Sequence, residues 1–85
     1  MEKKKLMNQL GISLRIGKNG MTLNILEEIK KYIKKNKFMK IKFLKSFTHS
    51  ESKEDAIKFI ESKLNVKVID HRGNVILIGK KVTNH

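Results

Sequence analysis

The chain has 85 residues, 39% of them hydrophobic, no cysteine, and 20 lysines and arginines against 8 acids, a formal net charge of +12. That length gives one domain spanning 1–85 with a single core, and the lack of cysteine excludes disulfides and thiolate metal sites. The charge excess selects polyanions as partners: nucleic acid first, an acidic protein or membrane surface after it.

In chain order, Glu2 to Leu10 reads as a short helix with Leu6, Met7 and Leu10 on one side, ended by Gly11. Ser13 to Ile16 reads as a short strand that runs into Gly17-Lys18-Asn19-Gly20. A longer helix follows. Ile25, Leu26, Ile29, Tyr32 and Ile33 recur at helical spacing, while Glu27, Glu28, Lys30, Lys31, Lys34 and Lys35 take the other faces. Thr22 is its expected N-cap and Asn36 its expected stop.

Phe38 to Lys45 alternates as a strand does, with Met39, Ile41 and Phe43 on one side and Phe38, Lys40, Lys42 and Leu44 on the other. The first set is expected to be buried under helices, and Lys40 and Lys42 to be exposed. Thr48 with Glu51 fits a capping box for a third main helix, with Ser50 and Ser52 as further cap candidates. Ala56, Phe59, Ile60 and Leu64 form the apolar stripe of that helix, and Asn65 is expected to close it in the left-handed conformation. Val66 to Asp70 and Asn74 to Gly79 read as two strands around a tight His71-Arg72-Gly73 turn. Lys80 to His85 reads as a frayed tail.

The order is thus α-β-α-β-α-β-β, an α+β chain expected to form a compact two-layer sandwich on a mixed four-stranded sheet. Right-handed crossovers make the first three strands largely parallel, and the last is antiparallel.

Function concentrates in the glycine turn. A strand feeding Gly-Lys-Asn-Gly, followed at once by a helix start with unpaired N–H groups, makes an anion site on the backbone, and Lys18 adds a full charge. The charge distribution agrees. Up to Lys45 there are thirteen basic residues against three acids, and from Ser46 onward seven against five. Heat adaptation would raise glutamate along with lysine, so the imbalance points to phosphate. The candidate nucleic-acid-binding residues are Gly17, Lys18, Asn19 and Gly20, with Arg15, Lys30, Lys31, Lys34, Lys40 and Lys42 supplying charge. Phe38 beside Lys40 and Lys42 suits either a stacking platform or core packing.

Ile16-Gly17-Lys18-Asn19-Gly20-Met21-Thr22, the helix with Ile25 and Ile29, and Lys37-Phe38-Met39-Lys40-Ile41-Lys42-Phe43 together resemble the CRM domain (chloroplast RNA splicing and ribosome maturation), whose free-standing bacterial members are YhbY-like. The likeness spans nearly the whole chain in the same order. It implies a fold like the C-terminal domain of translation initiation factor three. It also implies an RNA-binding role in ribosome assembly or intron splicing, with the Gly17–Gly20 loop acting like the GXXG loop of KH domains. The chain departs from the family pattern in having Met21 for leucine, Asn36-Lys37 for His-Glu, and no Tyr-Arg in the closing Val75-Ile76-Leu77-Ile78-Gly79.

No enzyme is expected. His49, Ser50 and Glu51 are sequence neighbours whose side chains splay apart, the histidines lack metal-ligand spacing, and Gly-Lys-Asn-Gly lacks the Gly-Lys-Ser/Thr ending of a P-loop. No cofactor or small-molecule substrate is expected. The longest apolar runs fall far short of the ~20 residues of a membrane span. Met1-Glu2-Lys3-Lys4-Lys5 leads into Asn8 and Gln9 rather than an apolar signal region, so the expected location is cytoplasmic, with no membrane partner. The leading expectation is a binder of structured RNA in large-subunit ribosome assembly. The alternatives are a non-specific DNA or chromatin binder of Alba-like architecture and a basic module that holds an acidic protein.

Overall fold

The computed structural model describes residues 11–81. The expected helix from Glu2 to Leu10 lies outside them. The described elements are β1 (Leu14–Ile16), α1 (Leu23–Lys35), β2 (Phe38–Phe43), α2 (Lys45–Thr48), α3 (Lys53–Lys63), β3 (Val66–Arg72) and β4 (Val75–Lys80). The strands form one four-stranded sheet in the order β1-β2-β4-β3. β1 and β2 are parallel, and β4 is antiparallel to both β2 and β3. The first three strands therefore share a direction, as expected. Only the first two are neighbours, because β4 inserts between β2 and β3.

The alternation in β2 is realised: Met39, Ile41 and Phe43 are 1%, 0% and 0% exposed. They meet Leu26, Ile29 and Ile33 of α1, Ala56 and Ile60 of α3, and Ile76 and Ile78 of β4 in one core on one face of the sheet. Each such side chain removed from water contributes about 1.5–3 kcal/mol. Lys42 is exposed, whereas Lys40 is only half-exposed, a correction to the expectation that both stand free.

A smaller apolar group occupies the other face, where Phe38, Ile69 and Val75 pack around the fully buried Leu77. Strand alternation turns Val68 to the main core and Ile69 to Leu77, and the register of β3 shifts just there, between Val68 and Asp70. Gly79 bounds the group: a Cβ there would lie 2.6 Å from Ile69 Cδ1 and 3.2 Å from the Phe38 ring. The glycine leaves the room that those two side chains fill. Phe38 is thus a packing residue of the sheet.

Local signals decide the ends of the helices. Thr22, in extended conformation, accepts the Ile25 N–H on Oγ1 at 3.2 Å, and the Asn36 N–H closes α1 on Tyr32 O at 2.8 Å. The cap of α3 is Ser52, whose Oγ accepts the Asp55 N–H at 3.3 Å. The Thr48–Glu51 box does not form, because Thr48 closes the short helix α2, which begins at Lys45, the residue expected to end the preceding strand. That helix exists to seat Phe47, 2% exposed, against Phe43 at a ring separation of 5.3 Å.

Asn65 is not left-handed. Among the described residues only Gly20 and Gly73 have positive φ, and α3 ends on Leu64 in extended conformation as the chain passes directly into β3. The hairpin turn falls at Gly73-Asn74, one residue later than expected, with Arg72 paired to Val75. Asp70 and Arg72 form an ion pair of 3.3 Å beside it, and Lys53 Nζ donates to Gly73 O at 2.6 Å, which ties the start of α3 to the turn. The tail begins later than expected too. Lys80 pairs with Val66 inside β4, and the Lys81 N–H donates to Asn65 O at 2.9 Å.

Candidate nucleic-acid interface

The glycine turn is built by the parallel pair beside it. Ile16 is buried at the end of β1, and its carbonyl accepts the Leu44 N–H at 2.8 Å, so the chain leaving Ile16 meets the chain leaving Phe43. At that junction a Cβ on Gly17 would lie 3.0 Å from Ser46 Oγ and 3.1 Å from Leu44 Cδ1. The Gly20 N–H returns to Gly17 O at 2.9 Å and closes the turn. Gly20 itself has φ +72°, while a Cβ there would meet nothing within 4 Å. The two glycines therefore have different reasons. The sequence gives both the task of a tight turn open to a ligand; in the structure Gly17 lets the turn seat against Leu44 and Ser46, and Gly20 supplies a backbone conformation that other residues resist.

Lys18 and Asn19 stand exposed at the tip. Just beyond, Thr22 takes the Ile25 N–H, whereas the Leu23 and Asn24 N–H groups have no acceptor among the described residues. These free donors and the positive end of the α1 dipole lie within a few residues of the Lys18 ammonium.

The β1–β2 edge of the second sheet face continues the positive surface. Arg15 is paired with Lys42 across β1 and β2, and both are exposed. Lys40 lies two residues back on the same face, its N–H donating to Ser13 Oγ at 3.3 Å. Lys45, the exposed first residue of α2, adds a cation that sequence reasoning passed over. Its place directly after the strand that pairs with the pre-turn strand was the available signal. The other flank of the turn is different in charge. Met21, Phe47 and Phe59 line a depression of about 320 Å³ whose rim carries Glu51 and Asp55. The field there is opposite in sign to that at Arg15 and Lys42.

The lysines of α1 do not join this cluster. The helix is thirteen residues long, so its C-terminal turn lies roughly 20 Å from the glycine turn. Lys34 stands in that last turn, Lys30 lies on the same side one turn earlier, about 10 Å along the helix from Leu23, and Lys31 stands on an exposed neighbouring side. Glu27 and Lys31 sit one turn apart, and no ion pair joins them among the described residues. The candidate residues thus divide into a turn-and-sheet group of Arg15, Lys18, Asn19, Lys40 and Lys42, and a helix-end group.

Sequence comparison matches residues 2–79 to the CRS1/YhbY (CRM) domain. The chain belongs to the CRM domain family. No curated protein matches it. Among solved structures, this CRM domain is similar to the solution structure of the hypothetical protein SAV1595 from Staphylococcus aureus, described as a candidate RNA-binding protein. The TM-score is 0.71 at 15% identity, over 95% of this chain and 82% of that one. That likeness establishes the shared fold. Among the described residues of this CRM domain, no helix is long and apolar enough to cross a membrane.

Proposed function

We propose that this CRM domain is an RNA-binding module that grips the sugar-phosphate backbone at the Gly17–Gly20 turn. One observation carries the reading. The turn that exposes Lys18, Asn19 and the free N–H groups of α1 is continuous with the exposed Arg15–Lys42 pair on the adjoining strands. Backbone donors and fixed cations then converge on one strip, and the acidic rim on the other flank gives the strip a direction. Such contacts position an RNA without reading its bases, so selectivity comes from RNA shape. Family membership and the RNA-binding description of the structural neighbour support the same reading. The precursor of large-subunit ribosomal RNA is the target that the family implies.

Crosslinking in cells followed by sequencing of the bound nucleic acid tests this directly. Recovery of ribosomal precursor RNA, reduced by Lys18→Ala with Asn19→Ala, is the expected result. Genomic DNA in its place would favour the Alba-like alternative, and an acidic protein without nucleic acid would favour a protein-binding module. An unchanged RNA yield from the folded double variant would move the clamp away from the turn.

A further inference from the structure

The far end of the molecule carries a second basic feature. Lys30 and Lys34 of α1, Lys63 at the end of α3 and Lys80 at the end of β4 line one depression of about 220 Å³. Its floor is apolar, with Val66 buried and Leu64 half-buried, and no acid is among the described residues that line it. None of the four ammonium groups has an ion-pair partner among the described residues. Lys63 is partly steadied by the Phe59 ring, whose centroid lies 5.9 Å from its Nζ.

The carboxyl ends of two helices favour nearby cations, which accounts for Lys34 and Lys63 singly. It does not account for Lys80, which comes from a strand, or for Lys30, a full turn earlier. Four cations around one shallow floor repel one another unless an anion sits among them. The aliphatic stems can lie along the floor while the charged heads reach its rim.

We propose that this groove is a second phosphate-backbone site, so that one RNA is held at both ends of α1. The proposal rests on the RNA-binding reading of the glycine turn and adds to it a separate set of contacts roughly 20 Å away. An RNA too short to reach both places engages one of them, and an RNA that presents backbone at both gains from the linkage. Structured RNA would then be preferred by geometry, without base contacts.

The test is salt-dependent binding of a stem-loop RNA to the full chain carrying Lys63→Gln with Lys80→Gln. Neither residue is near the turn. Loss of two phosphate contacts makes the slope of log affinity against log salt shallower by about 1.4–1.8. The matched control is Lys58→Gln with Lys67→Gln, two exposed lysines outside the groove; it removes the same charge and is expected to leave the slope nearly unchanged. Equal effects from the two double variants would reduce the groove to general charge and overturn the proposal. So would an unaltered slope in the groove variant while Lys18→Ala with Asn19→Ala still weakens binding, a result that leaves the turn reading standing. A wild-type chain that binds no RNA at low salt overturns both.

Discussion

Arg15 and Lys42 stand directly opposite one another on adjacent parallel strands, both on the solvent side of the sheet. Two like charges at a cross-strand pair oppose folding, by an amount comparable to what an opposite pair would add. Their place at the foot of an exposed turn supports the anion contact proposed for this surface.

Replacing either residue by glutamine should therefore separate the two roles. Arg15→Gln or Lys42→Gln is expected to raise stability by about 0.2–0.5 kcal/mol at low ionic strength. RNA affinity should fall, with a salt slope shallower by about 0.7 for a single-stranded ligand. Denaturant titration at low and high salt reads the first effect, since screening removes it. A variant that keeps full RNA affinity and slope would show that the pair makes no phosphate contact.

The two glycines of the turn should fail in different ways. Gly20→Ala is expected to cost about 1–2 kcal/mol because φ +72° is unfavourable for a residue with a Cβ. Gly20→Asn should cost less, asparagine being tolerant of that region. For Gly17, asparagine should be worse than alanine, because the larger side chain points at Leu44 and Ser46. Thermal unfolding of the four variants gives the ranking, and opposite preferences for asparagine at the two positions are the signature to look for.

Removing caps should distinguish Ser52 from Thr48. Ser52→Ala deletes the acceptor for the Asp55 N–H and is expected to cost about 1 kcal/mol. Thr48→Ala removes only a 3.4 Å contact to Lys45 O at the exposed end of α2 and should change stability by less than about 0.5 kcal/mol. Equal losses at the two sites would argue that Thr48 also supports the helix.

What could be read from the sequence follows the range of the interaction concerned. Met39, Ile41 and Phe43 reveal their burial because side-chain direction alternates along any strand. Thr22 declares itself because a cap acts over three residues. The cap of α3 was ambiguous, since Thr48, Ser50 and Ser52 all carry suitable oxygens and only the seating of Phe47 decides among them. The insertion of β4 between β2 and β3 was hidden, for it depends on pairing Lys42 with Val75, which no local period records. In the site, Gly17 to Gly20 stood out by composition. The separation of Lys30 and Lys34 from Lys18 had to come from the length of α1 and its direction away from the turn.

The position of β4 also governs when the domain can become a domain. It is the last of the described strands in the chain, yet among them it is the only neighbour of β3 and one of the two neighbours of β2. Until Val75 to Lys80 arrive, β1 with β2 and α3 with β3 are two fragments without a shared sheet. The Gly17–Gly20 turn thus precedes in the chain the strand that completes the sheet beside it. A chain stopped after Gly73 is accordingly expected to show no slow-exchanging amides in β2 by hydrogen exchange, while the chain through Lys81 shows them. Protection in the shorter chain would mean that the parallel pair stands without its central strand.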